Sequence, residues 1–231
     1  MRHVIPPAEV PSVPVTGRDA RFPVRRIYCV GRNYAEHARE MGFSGREPPF
    51  FFMKPADAIV PVPSGTTGRL PYPTLTADLH HEVELVLAIG QGGRNIRAAD
   101  ALAHVWGYAV GLDMTRRDLQ AQMKQQGRPW CIAKGFDASA PIGPITPAAQ
   151  AGDIQHAGIW LHVNGQQRQR GSLDQLIWSI AETLEHLSSA WTLQPGDLVF
   201  TGTPAGVGAV QRGDLLEAGI DGLEGLRLEL A

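Results

Sequence analysis

Glu82 and Glu84 stand two apart in the stretch His80-His81-Glu82-Val83-Glu84-Leu85-Val86-Leu87-Ala88-Ile89, which opens in acid and ends in an unbroken apolar run. Such a run reads as a β-strand driven into a core. Residues two apart on a strand share a face, so the two carboxylates project side by side against buried surface. An unpaired charge there costs on the order of several kcal/mol, and a cation between the two would relieve it. Hard oxygen ligands suit Mg²⁺, Mn²⁺ or Ca²⁺. The alternative is a solvated strand face with a Lys or Arg beside each Glu. Of the two neighbouring histidines only His80 shares the glutamates' face, and the pair is expected to cap the strand entrance instead of binding metal.

A third carboxylate, Asp113, follows the apolar Trp106–Leu112 at the point where strand gives way to polar residues, where it would complete an all-oxygen half-shell. His37 and Glu40 lie three apart in a helical stretch between Asn33, a candidate N-cap, and Gly42, a candidate stop. A carboxylate beside an imidazole raises its basicity, as a general base requires; a solvated helix face is the other reading. Arg117 and Gln120, also three apart, can face one pocket from a helix over 116–126. Lys134 follows the apolar Trp130-Cys131-Ile132-Ala133, read as extended, and either balances the carboxylates or snorkels over Trp130. Lys54 ends the short apolar strand Phe50–Pro55 and could face the site, although a Lys at a strand end is more often solvated. The glycine-rich Gly202-Thr203-Pro204-Ala205-Gly206-Val207-Gly208 lets backbone N–H groups approach a ligand, unless it is simply a bend.

The elements that must hold these residues are short. With 26 Gly and 18 Pro, the chain favours turns and short strands over long helices. The strand Arg25–Val30, the Asn164-Gly165 hairpin, the amphipathic helix Leu173–Ser189 with a Ser179/Glu182 capping box, the turn Gln194–Asp197 and a hairpin over 215–230 are legible. The proline-rich residues 1–24 read as an extended arm, and 25–231 as one catalytic domain. A net charge of −2 with no basic block gives no case for nucleic acid. No stretch reaches transmembrane length and no secretory signal opens the chain, so a cytoplasmic protein is expected. Cys29 and Cys131 make no disulfide framework, and Gln91-Gly92-Gly93-Arg94 lacks the ending of a phosphate loop.

Five segments in order, Val30–His37, Glu82–Glu84, Gly107–Asp118, Ala133–Asp137 and Gly202–Gly208, resemble the fumarylacetoacetate hydrolase family, and the likeness runs from about residue 25 to the C-terminus. The resemblance implies an α+β fold with a mixed, curled β-sheet and a few short helices. It implies Mg²⁺ or Mn²⁺ on Glu82, Glu84 and Asp113, and a lid over about 31–49 on which His37 and Glu40 activate water. Gln120 and Lys134 would stabilise developing charge, with Arg117 and Thr203 at the substrate carboxylate. The implied reaction is hydrolysis of a C–C bond in an acylpyruvate. Ile27–Arg32 and Asp113–Asp118 are most similar to members that split fumarylpyruvate into fumarate and pyruvate during bacterial gentisate breakdown. Arg116, Arg32 and Arg128 are candidates for the far carboxylate, with Arg116 foremost. The family also implies a homodimer. Decarboxylation or tautomerisation of oxaloacetate, or isomerisation and decarboxylation of a hydroxylated dienedioate, at the same metal is the second reading; a non-catalytic binding protein is the third.

Overall fold

The computed structural model describes residues 3–34 and 46–231. At its centre β4 (Phe50–Lys54), β3 (Arg26–Gly31), β15 (Asp197–Phe200), β8 (Val83–Ile89), β9 (Val105–Leu112), β11 (Ala140–Ile142) and β5 (Ile59–Pro61) lie side by side in that order, with β12 (Thr146–Pro147) also paired to β9. The β3–β15 and β11–β5 pairs are parallel and the others antiparallel, so the sheet is mixed. Both faces of β8 are buried, which explains its unbroken apolar sequence. Leu85, Leu87 and Ile89 enter one core cluster, while Val86 and Ala88 enter another. Each of these leucines stabilises the fold by roughly 2 kcal/mol through burial.

A second sheet, β14 (Gln166–Ser172), β13 (Gly158–Val163), β17 (Leu215–Ile220), β18 (Leu226–Leu230) and β6 (Gly68–Leu70), covers the first cluster with Ile159, Leu161, Leu216 and Leu228. The ladder of β1 (Ser12–Pro14) with β2 (Arg21–Pro23) closes the other cluster, to which Val13, Val15, Phe22 and Val24 contribute. A small sheet of β10 (Thr115–Arg116), β7 (Leu79–His81) and β16 (Gly208–Val210) sits at the end of the central one. Among the described residues the α-helices are α1 (Arg117–Gln125), α2 (Cys131–Lys134) and α3 (Ile180–Ala190). This is the α+β architecture with a mixed, curled sheet and short helices.

Two local expectations need correction. The expected helix Leu173–Ser189 breaks in two: Leu173–Gln175 is a 3₁₀ turn and α3 starts only after Ser179, whose side chain forms the expected capping box with Glu182. The intervening backbone is drawn off by Asn33, whose O accepts from Ile177 N at 2.8 Å and whose Oδ1 accepts from Trp178 N at 2.8 Å. The Asn33 Nδ2 donates to Trp178 O and Thr201 O, and its expected capping of the helical stretch that follows falls outside the described residues. Trp130–Lys134 is not extended, because Ala133 N and Lys134 N both donate to Trp130 O at 2.9 Å and wind a single helical turn. The hairpin over Asn164-Gly165 forms as its sequence requires, with φ of 52° and 75° at the two turn residues.

Candidate active site

The β8–β9 register creates the acidic cluster. Val83 lies opposite Leu112 and Glu84 opposite Gly111, and one step further Asp113 N donates to Glu82 O at 2.9 Å. Opposed residues of an antiparallel pair share a face, so Glu82, Glu84 and Asp113 converge. All three are buried, and carboxylate oxygens of the three lie within 4.8 Å of one another. Gly111 must lack a side chain here: a Cβ would stand 2.5 Å from Val86 Cγ2 and 2.7 Å from Phe200 Cε1. β15 is antiparallel to β8, which carries Gly202 alongside Glu84, and Gly202 N donates to Glu84 Oε2 at 2.7 Å.

Among the described residues, three cations pair with the cluster. Lys134 Nζ lies 2.7 Å from Glu82 Oε2 and 2.6 Å from Asp113 Oδ2. Lys54 Nζ is 2.8 Å from Asp113 Oδ1, and also donates to Lys134 O and Met114 O. Arg117 donates to Glu82 Oε1, and to Gln120 Oε1 at 2.5 Å. Burial alone would lower the Lys134 ammonium, yet Asp113 and Glu82 together raise it above its ordinary value, so it acts as a fixed cation and donor. Glu84 is different: among the described residues it forms no ion pair with a Lys, Arg or His. Burial, then Asp113 and Glu82, push its carboxyl well above its ordinary value. An all-oxygen trio whose third member has no ion-pair partner among the described residues fits a divalent cation of the Mg²⁺ or Mn²⁺ kind.

The cluster opens into a small cavity whose wall includes Arg32, Phe52, Arg117, Gln120, Trp130 and Thr203. Arg117, a pure donor, occupies Gln120 Oε1, so the Gln120 amide hydrogens remain for an oxygen in the cavity. Arg32 holds φ at +60°, and its guanidinium carbon lies 5.1 Å from the Phe50 ring centre and 5.9 Å from that of Trp130. Gly31 makes room for this arrangement, since a Cβ there would lie 2.0 Å from Phe50 Cζ.

The structure thus brings together Glu82, Glu84, Asp113, Arg117, Gln120, Lys134 and Thr203. Arg116 departs from expectation. It belongs to β10, paired with Leu79, and sends its guanidinium 4.3 Å over the Phe136 ring while Nη1 donates to Ile132 O at 3.2 Å. The cavity wall holds Arg32 in its place. Neither histidine joins the acidic trio: His80 is held by Asp78 and Arg117, and His81 by Gln169. His37 and Glu40 lie outside the described residues. The ends of that span meet at one place: Tyr34 bridges to Leu176, Trp178 Nε1 donates to Glu47 O at 3.1 Å, and Arg46 stacks on Trp178 and pairs with Glu182. Lys54, which the sequence favours as a solvated strand end over a site residue, is buried at the cluster. Its only signal is a Lys closing an apolar strand, which as often marks a solvated strand end.

A model of the fumarylacetoacetate hydrolase C-terminal family matches residues 26–230. The chain is similar in structure to a fumarylpyruvate hydrolase from Pseudomonas aeruginosa, solved with Mn²⁺ and pyruvate, at a TM-score of 0.98 and 59% identity over 100% of this chain and 99% of that one. It is 41% identical to a mitochondrial oxaloacetate decarboxylase of Dictyostelium discoideum over 87% of this chain and 90% of the relative. A mitochondrial oxaloacetate tautomerase of Arabidopsis thaliana is 42% identical over 89% of this chain and 90% of the relative.

Proposed function

The chain belongs to the fumarylacetoacetate hydrolase family, and from that premise we propose that it is a divalent-metal-dependent acylpyruvate hydrolase that splits fumarylpyruvate into fumarate and pyruvate. The observation that carries the reading is the buried trio Glu82, Glu84 and Asp113 opening on a small cavity lined by cations and amides. The likeness over the whole chain to an enzyme named for this substrate supports it.

Glu82, Glu84 and Asp113 would hold Mg²⁺ or Mn²⁺. When bound, the ion would supply Lewis acidity at the 2-keto acid end, where it would ease departure of the pyruvate fragment. Thr203 and Arg117 hold the carboxylate of that end. His37, paired with Glu40, takes a proton from water, whose oxygen adds to the acyl carbonyl carbon. Gln120 donates to the resulting oxyanion. The bond from the acyl carbon to the methylene then breaks, its electron pair going to the pyruvate fragment, which takes up a proton. Lys134 keeps the cluster's charge balanced and faces the developing enolate. Arg32, at the aromatic wall of Phe50 and Trp130, meets the far carboxylate of a fumaryl group.

The test is purified protein with Mn²⁺ and fumarylpyruvate, followed by release of fumarate and pyruvate. A wide preference for acetylpyruvate would sink the substrate assignment. Arg32→Ala is expected to raise KM for fumarylpyruvate roughly tenfold while sparing acetylpyruvate, the size of one lost charged hydrogen bond. The relatives named for oxaloacetate favour a second reading, decarboxylation or tautomerisation at the same metal. His37→Ala separates the two, because hydrolysis needs a base for water and metal-driven decarboxylation does not. The proposal extends to residues 1–24 as an arm and a cytoplasmic location, on sequence composition, and to a lid over about 31–49 and a homodimer acting in gentisate breakdown, on the resemblance; sedimentation velocity tests the assembly.

A further inference from the structure

β14 is a polar strand with mostly exposed or half-exposed side chains, yet Gln169 in its middle is fully buried. A bulge accounts for this. Leu161 pairs with Gln169 and His162 with Gln167, leaving Arg168 as the extra residue and turning Gln169 inward. The glycine-rich loop seats on the same bulge: Gly206 has φ of +92°, and a Cβ there would lie 2.1 Å from Arg168 O.

The orientation of the Gln169 amide is fixed by groups with no choice of role. Val83 N can only donate, and reaches Oε1 at 3.1 Å; Pro204 O can only accept, and takes Nε2 at 2.9 Å. His81 Nδ1 then donates to Oε1 at 2.8 Å, and Nε2 donates to Thr203 Oγ1 at 2.7 Å. Thr203 therefore accepts from Gln169 and keeps its single hydroxyl proton for another acceptor, while its side chain forms part of the cavity wall. The Val83 amide held at Oε1 lies between Glu82 and Glu84.

We propose that Gln169 is a positioning residue of the active site: by donating to Thr203 Oγ1 it directs the Thr203 proton at the substrate carboxylate, and by accepting from Val83 it fixes the backbone between the two glutamates. This rests on the functional reading above, in which Thr203 meets a 2-keto acid carboxylate.

The experiment is a double-mutant cycle read by calorimetric binding of pyruvate to the Mn²⁺-loaded protein, with Mn²⁺ affinity measured separately by electron paramagnetic resonance. Gln169→Met and Thr203→Val are each expected to weaken pyruvate binding roughly tenfold or more, as for loss of a hydrogen bond to a charged group. Thr203→Ser, which keeps the hydroxyl, should retain affinity. In the Thr203→Val background Gln169→Met should add less than about twofold, because the two act as one unit. Gln169→Met should also weaken Mn²⁺ binding, whereas Thr203→Val should leave it unchanged. Should the Met variant not fold, Gln169→Glu at pH 8 keeps the acceptors for Val83 and His81 while removing the amide hydrogens. It is expected to weaken pyruvate binding to the same extent and to keep Mn²⁺ bound. Pyruvate affinity within about twofold of wild type in the Gln169 variants, or a full additional loss on the Thr203→Val background, overturns the proposal. If Thr203→Val itself leaves pyruvate binding intact, the functional reading of Thr203 falls, and the proposal with it.

Discussion

Replacing Lys54 by Met removes the ammonium 2.8 Å from Asp113 Oδ1 from a place where both partners are buried. Breaking one side of a buried pair costs roughly 3–5 kcal/mol, because the other charge stays behind uncompensated. A divalent ion on the trio would supply part of the missing charge. Lys54→Met is thus expected to destabilise the protein by about that amount in EDTA and by clearly less with saturating Mn²⁺, read by urea unfolding in the two buffers. An equal loss in both would mean that Lys54 does not share its carboxylate with the ion. At this scale the sequence displayed the chemistry better than the pairing. Glu82, Glu84 and Asp113 announced themselves through acid next to apolar runs, whereas the burial of Lys54 depends on β4 lying beside β3 and on the chain turning at Phe136, neither of which a local pattern shows. Gln169 sits in a run of Gln and Arg that reads as solvated throughout, and only a bulge distinguishes it.

β7 adds a pH dependence of its own. His81 is buried and neutral, and burial first, with His80 and Arg168 assisting, lowers its pKa to about 4 even though Gln169 and Glu82 pull the other way. The folded value lies below the unfolded one near 6.5, so the unfolded chain takes up a proton first. Stability from this group is whole above about pH 6.5 and declines as the pH falls toward 4, by about 3 kcal/mol in all. His81→Asn should flatten that part of the stability curve, with unfolding free energies at pH 7 and 5 as the check; an unchanged slope would count against a buried neutral imidazole. The loop after β15 makes a sharper demand. Gly202 has φ of +101°, a Cβ would stand 2.7 Å from Asn33 Cβ, and its N–H serves Glu84. Gly202→Ala is expected to cost roughly 1–3 kcal/mol from backbone strain and to weaken Mn²⁺ binding. Titration followed by electron paramagnetic resonance would show it. Strands were legible wherever apolar runs met turn residues. The helix predicted over Leu173–Ser189 was not, because Asn33, distant in sequence, competes for its backbone at Ile177 and Trp178 and lets the Ser179 cap begin a new helix.

For the molecule as a whole, an ion bound only by the folded chain shifts unfolding by mass action. At a hundredfold excess over Kd the gain is about 2.7 kcal/mol, which for a chain of this size raises Tm by roughly 5–10 °C. A thermal melt with and without EDTA measures it, and no shift with either Mg²⁺ or Mn²⁺ would remove the metal from the account. Glu84→Gln, which leaves the ion pairs of Glu82 and Asp113 in place, should sharply reduce the shift while leaving a folded protein. The same clasp that splits the helix has a consequence for chain length. Tyr34 on one side and Arg46 with Glu47 on the other are fastened to neighbouring points of one fixed post, the entrance of α3. The distance between the two knots is therefore set by the scaffold, not by what is strung between them. Doubling the number of residues in that interval costs only about 0.6 kcal/mol of closure entropy. A change of length in that interval is therefore expected to leave the geometry of the acidic trio in place.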